Sequence, residues 1–180
     1  MINWPVEQPT LTHGEITLRP LKEADIDPIF QACQDPTITA FTRIPHPYER
    51  SMAEDFVRES DTTYRNHHSI SFAIEFEGNF VGTIGLHSLS LGDHTSEVGY
   101  WMDPNFRAKG ICTQALRALS DFAIKVMGFR RLEAYANFDN VASQRVMERA
   151  GYQRDALLKN AATNRVGEQF DMALYSMTSN

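Results

Sequence analysis

Cysteine is scarce in this 180-residue sequence: there are two, Cys33 and Cys112. They lie far apart with no paired spacing, which argues against a disulfide framework and against a cysteine-based zinc site. The six histidines are scattered and show no metal-ligand spacing, so no metal is expected. No stretch approaches the ~20 consecutive apolar residues of a membrane helix, and no membrane association is expected. Met1 to Pro5 lacks a basic segment followed by an apolar run, so a secretory signal is not expected and the cytoplasm is the default address. Basic charge is also in deficit. Lys and Arg number 17 against 23 Asp and Glu, a formal net charge of −6. That argues against sequence-independent nucleic-acid binding and is compatible with cationic substrates such as amines. Internal repeats and low-complexity linkers are missing, so residues 1–180 read as a single domain.

What is present is periodicity. Gly14 to Leu21 alternates as a strand, and Lys22 to Gln34 carries Ile26, Ile29, Phe30 and Cys33 at helical spacing. Asp35-Pro36 should end that helix, because a residue before proline avoids the helical region, and a loop should follow through Pro45 and Pro47. A second helix spans Glu49 to about Arg65. Strands follow at Ser69 to Glu77, Phe80 to about Leu91 and Thr95 to Met102, turning at Gly78-Asn79 and Gly92-Asp93. Ile111 to Met127 is the clearest helix, with Ile111, Ala115, Leu119, Phe122 and Val126 as its buried stripe and Gly128 as its cap. A strand at Arg130 to Ala136 leads to a helix at Val141 to Ala150. Asn140 is suited to start that helix and Gly151 to end it. Strands near Tyr152 to Lys159 and Gln169 to Met177 complete the order. The crossover around the long helix requires a parallel strand pair, and the hairpins require antiparallel ones. A mixed sheet with helices on both faces follows.

The run Arg107-Ala108-Lys109-Gly110-Ile111-Cys112 joins a strand to the long helix. A glycine-containing loop at a helix N-terminus presents backbone N–H groups to an anion, and Arg107 and Lys109 add positive charge. The competing reading is a plain strand-to-helix turn with solvated basic residues. No Gly-x-Gly-x-x-Gly is present, and no Lys-Ser/Thr follows the glycine, which sets aside dinucleotide and nucleoside-triphosphate loops.

Glu97 to Ile111 resembles the acyl-CoA-binding core of the GNAT superfamily of N-acetyltransferases, whose loop reads Gln/Arg-x-x-Gly-x-Gly/Ala. Asn140 to Tyr152 resembles that family's Asn-x-x-Ser helix ending in Gly-Phe/Tyr. With Leu18-Arg19-Pro20-Leu21, the chain looks most like the RimJ/RimL-type branch, which includes ribosomal-protein N-terminal acetyltransferases. Cys112 departs from the family's usual Gly or Ala. The resemblance implies an α/β GNAT fold, a mixed sheet of six to seven strands flanked by about four helices. It also implies acetyl-CoA as cosubstrate and a primary amine as acceptor, most readily a protein or peptide N-terminal α-amine. A small-molecule amine is the rival acceptor, and a non-catalytic acyl-CoA sensor the rival class. A homodimer is compatible with it.

Carried over by position, the resemblance implies that Trp101 and Met102 line the cofactor arm, with the Met102 N–H as donor to the thioester oxygen. Arg107, Ala108, Lys109, Gly110, Ile111, Cys112 and Thr113 would hold the pyrophosphate, and Asn140 would contact the arm. Ser143 would protonate the departing thiolate, and Glu97 would act as base through water. Rival carboxylates are Glu133, Glu168 and Asp171. The family's carboxylate before the last strand has no counterpart in Asn160 to Asn164. Tyr135 and Tyr152 read as packing residues. The segment Phe41 to Tyr48, aromatic and proline-bound, is the expected acceptor-side loop.

Overall fold

The computed structural model describes residues 1–179. Eight strands form one mixed sheet: β1 Leu11–His13, β2 Ile16–Pro20, β3 Ile70–Phe76, β4 Asn79–Ser90, β5 Thr95–Met102, β6 Arg131–Asn137, β7 Gln153–Thr163 and β8 Gln169–Thr178. Five α-helices accompany them: α1 Ile26–Ala32, α2 Pro36–Phe41, α3 Arg50–Arg65, α4 Ile111–Asp121 and α5 Val141–Ala150. The spatial order is β1-β2-β3-β4-β5-β6-β8-β7. Among the described residues only β5 and β6 pair in parallel, as the crossover through α4 demands; every other pairing is antiparallel.

The sheet separates two apolar clusters. On one face α4 packs Ile111, Leu116 and Leu119 against Leu18, Ile74, Ile84 and Val98. On the other, α1 and α3 pack Ile29, Ala32 and Ala53 together with Phe80 and Trp101. The helices therefore cover both faces, which gives the layered arrangement expected of a mixed sheet.

The structure corrects the sequence reading at four places. The sheet has eight strands, because Gly14, at φ 59°, turns a three-residue β1 back onto β2. The helices number five, because Pro36 both stops α1 and opens α2. Its missing N–H costs nothing at the first helical position, and Asp35 caps Thr37 N at 2.8 Å. The hairpin after β3 turns through Glu77 and Gly78, both at positive φ, one residue earlier than expected. Finally, the long helix widens into a π-helical turn over Phe122–Met127 before Gly128 closes it at φ 88°. The wider turn rotates the last residues, so Val126 is exposed and Met127 is fully buried in its place.

Candidate active site

The site begins with a divergence in the sheet. β5 and β6 are in register at Thr95↔Arg131, Ser96↔Leu132 and Glu97↔Glu133, and nowhere beyond. β5 continues to Met102 along β4, while β6 continues to Asn137 along β8. Asp103 N donates to Val81 O at 2.9 Å across the β4 edge. Antiparallel ladders alternate, so the odd-numbered residues of β5 bond to β4. The amides of Val98, Tyr100 and Met102 therefore turn toward the widening gap. An extended ligand arm can complete that edge.

At the open end of the gap lies the loop into α4. Gly110 precedes the helix at φ 77°, a conformation without penalty only for glycine, and Ala108 also has positive φ at 60°. A side-chain carbon at Gly110 would meet nothing within 4 Å, so the loop faces open space. The first helical bond runs from Gln114 N to Gly110 O at 3.1 Å, which leaves the N–H groups of Ile111, Cys112 and Thr113 without helical acceptors. These amides, with the positive end of the α4 dipole, suit a pyrophosphate. Lys109 is exposed, its ammonium 5.0 Å from the Phe106 ring. Arg107 is turned the other way: it donates to Met102 O at 3.3 Å and to Thr37 Oγ1 at 2.7 Å. Its guanidinium thus ties the loop to the end of β5 and the start of α2. Cys112 is half-buried, and burial pushes its thiol up to about 12, so it stays protonated and unreactive at neutral pH.

Ser143 sits in the first turn of α5. Asn140 Oδ1 accepts Ser143 N at 3.2 Å, the helix cap expected from the sequence. The Ser143 hydroxyl lies 2.8 Å from the Tyr100 phenol, which also donates to Ser143 O at 3.3 Å. Burial pushes the Tyr100 phenol well above its ordinary range, so it remains a neutral partner. Tyr152 is fully buried and shares a 2.8 Å hydrogen bond with Ser120, which makes it a packing residue.

The other face of the gap is acidic. Glu97 Oε1 accepts from His87 Nε2 at 3.1 Å, and Ser88 donates to its second oxygen at 3.3 Å. The His87 hydrogen bond, with the nearby Arg43 cation adding to it against the cost of burial, holds Glu97 below the usual carboxylate range. Glu133 is the in-register neighbour of Glu97 and accepts from Arg131 at 2.7 Å and Tyr135 at 3.0 Å. Trp101 belongs to this face, its ring 5.9 Å from that of Phe80, so it lines the gap from the side of α1 and α3. The Phe41-to-Tyr48 loop overhangs here. Arg43 acts on Glu97, and Arg165, in the β7–β8 hairpin, donates to Ile44 O.

Ser143 and Glu97 thus lie on opposite faces of the sheet, joined only through the gap between β5 and β6. Asp171 is not part of the cluster: it is engaged with Lys159 at 2.6 Å and Asn160 N at 3.0 Å. Glu168 bonds within its own turn, to Asn164. Sequence reasoning missed His87 and Tyr100. The signal for His87 was its place in β4: the alternation of a hairpin partner puts it opposite Glu97 on the polar side. Among the described residues no group of His, Cys, Asp or Glu is arranged to hold a metal ion, and no helix is long and apolar enough to cross a membrane.

This geometry agrees with what the chain resembles. Its residues 15–153 match the family described as acetyltransferase (GNAT) domain. The uncharacterized N-acetyltransferase YoaA of Bacillus subtilis is 23% identical over 171 residues, 94% of this chain and 96% of that one. A ribosomal-protein-serine acetyltransferase of Escherichia coli is 32% identical over 90 residues, half of each chain. The solved structure of RimL, a ribosomal L7/L12 alpha-N-protein acetyltransferase in complex with coenzyme A, superposes with a TM-score of 0.83 at 20% identity, covering 97% of each chain. A gap between two parting strands, a glycine loop at a helix start and a family match over most of the chain converge on one conclusion: this protein belongs to the GNAT acetyltransferases and is an N-acetyltransferase.

Proposed function

We propose that the chain transfers the acetyl group of acetyl-CoA to a primary amine, and that a protein or peptide N-terminal α-amine is its acceptor. The observation that carries the reading is the passage between β5 and β6, with anion-binding amides at one end and carboxylates on one face. Acetyl-CoA supplies an acetyl group activated as a thioester. The loop from Arg107 to Thr113 holds its pyrophosphate through backbone N–H groups, with Lys109 adding charge. The Met102 N–H, with that of Tyr100 on the same edge, serves the carbonyl oxygen as it gains negative charge. Asn140 holds the first turn of α5, and the Ser143 hydroxyl supplies a proton to the departing sulfur. Glu97 acts on the acceptor side, where its negative charge draws in an ammonium.

Similarity to the ribosomal-protein-serine acetyltransferase and to RimL supports a protein N-terminus as acceptor. The paired carboxylates Glu97 and Glu133 favour a second reading, a small cationic amine. Free-thiol release from acetyl-CoA, measured against peptides with varied N-termini, amino acids, polyamines and aminoglycosides, decides between them. Acceleration by peptides supports the first reading and acceleration by polyamines alone the second. Silence across the panel, with acetyl-CoA still stabilising the fold by linkage, points to a sensor.

Ser143→Ala should lower turnover by about 100-fold, the lower range for removal of a positioned general acid, with acetyl-CoA affinity nearly unchanged. Steady-state kinetics beside titration calorimetry checks this. An unaltered turnover would reduce Ser143 to a residue of the helix start.

A further inference from the structure

We infer that His87 takes the proton from the acceptor ammonium, with Glu97 as the group that holds and polarises its ring. The inference rests on the acetyl-transfer reading above. The geometry is a dyad. His87 Nε2 lies 3.1 Å from Glu97 Oε1, so a neutral ring donates from Nε2 and keeps Nδ1 as its free acceptor. Nδ1 has no protein partner among the described residues. The ring lies across Gly99, the next residue of β5 on the same face: a side-chain carbon there would come within 2.6 Å of Cε1 and 3.4 Å of Nδ1. Gly99 is the first residue on that face past the point where β5 and β6 part. The bare backbone therefore lets the imidazole edge reach the mouth of the gap. A bulge at Ser88, which has φ 50°, follows directly and places the Ser88 hydroxyl on the second carboxylate oxygen.

Chemistry favours the imidazole over the carboxylate. An imidazole is the more basic of the two side chains, so it takes a proton from an ammonium against a smaller free-energy gap than a carboxylate does. Glu97 is held below even the usual carboxylate range by the hydrogen bond from His87. The charged group in contact with the ring is Glu97 on β5; around that carboxylate lie Arg43 in the loop after α2, and Glu133 and Tyr135 on β6, with Arg131 on Glu133. The proton balance is as follows. The ammonium loses one proton to His87 Nδ1, which passes it to solvent. The free amine forms the N–C bond as the C–S bond breaks. The nitrogen sheds its second proton to solvent, and the sulfur takes one from the Ser143 hydroxyl, which solvent replenishes. The net release is a single proton.

The test combines amine-dependent thiol release across pH with nitrogen NMR of the imidazole in the protein without cosubstrate. His87→Gln should lower kcat/KM for the amine by about 100-fold near neutral pH, leaving a rate that follows only the fraction of amine already deprotonated in solvent. Acetyl-CoA affinity by calorimetry should not change. The wild-type spectrum should show the tautomer protonated at Nε2, and Glu97→Gln should mix the tautomers. Gly99→Ala, which crowds the ring without touching its chemistry, should lower kcat/KM in the same direction. A wild-type rate in His87→Gln, or a ring protonated at Nδ1, overturns the inference while leaving acetyl transfer intact. If no amine accelerates thiol release by the wild-type protein, the acetyl-transfer reading falls, and this inference with it.

Discussion

Gly110→Pro is expected to weaken acetyl-CoA binding by about two to four orders of magnitude while the protein stays folded. Gly110 sits at φ 77°, and proline fixes φ near −65°, so the loop must take another path into α4. The amides that converge in the present loop then no longer share a focus. Charge-assisted hydrogen bonds are each worth about 1.5–3 kcal/mol, and losing two of them costs about 3–6 kcal/mol, or roughly 10²–10⁴ in affinity. The fold should survive, because Gly110 is exposed and a side-chain carbon there has no neighbour within 4 Å. Helix α4 is held from below by Ile111, Leu116 and Leu119, all at 1% exposure or less. Titration calorimetry gives the affinity and circular dichroism the fold. An unchanged dissociation constant in a folded variant would remove the loop from the binding site. Gly110→Ala is the graded control. It keeps the path but pays the left-handed penalty of about 1–2 kcal/mol, and should lose about tenfold.

The same loop shows why part of this protein was legible in its sequence. Helix α4 declares itself by apolar spacing, Gly110 and Gly128 mark its ends, and the crossover rule then dictates the parallel pair of β5 and β6. Asn140 and Gly151 frame α5 just as locally. These signals lie within a few residues of the structure they specify. What escaped was either too short or too distant. Strand β1 has three residues, too few to show alternation. Helix α2 hides behind a proline that reads as a stop and is also a start. The π-helical turn shifts the buried stripe by one residue where strict 3.6 periodicity places Val126 inside. The pairings that the proposed chemistry uses, Tyr100 with Ser143 and His87 with Glu97, join different elements, so no local pattern encodes them. Family resemblance pointed to Ser143 and Glu97 and left their partners unnamed.

The other large effect lies away from the cleft, at the Arg19 motif near the N-terminus. Asp25→Ala should destabilise the fold by about 3–5 kcal/mol, the usual cost of stranding one member of a buried ion pair. The Asp25 side chain is 2% exposed and that of Arg19 is 14% exposed. Arg19 grips Asp25 with two parallel hydrogen bonds of 2.8 Å and reaches Glu75 on β3 at 2.7 Å. Asp25 in turn accepts Lys22 N at 2.9 Å, which fixes the turn leading into α1. Removal therefore leaves a guanidinium with one carboxylate partner in place of two, and the Lys22 N–H without its acceptor. Exposed pairs such as Arg58–Asp55 and Lys125–Asp121 should contribute about 0–1 kcal/mol and serve as controls. Urea unfolding of Asp25→Ala, Arg19→Met and the double variant measures the coupling. The double variant should be less destabilised than the sum of the singles, because it removes both members of the buried pair and leaves only the more exposed Glu75 carboxylate without its cation. A loss under about 1 kcal/mol in Asp25→Ala would mean that Glu75 alone satisfies Arg19. The position of the motif gives the result a functional edge. α1 supports the cluster beneath Trp101 and the acceptor-side loop, whereas the amide loop is held by α4. The folded fraction of Asp25→Ala should consequently keep acetyl-CoA affinity and lose amine-dependent turnover first.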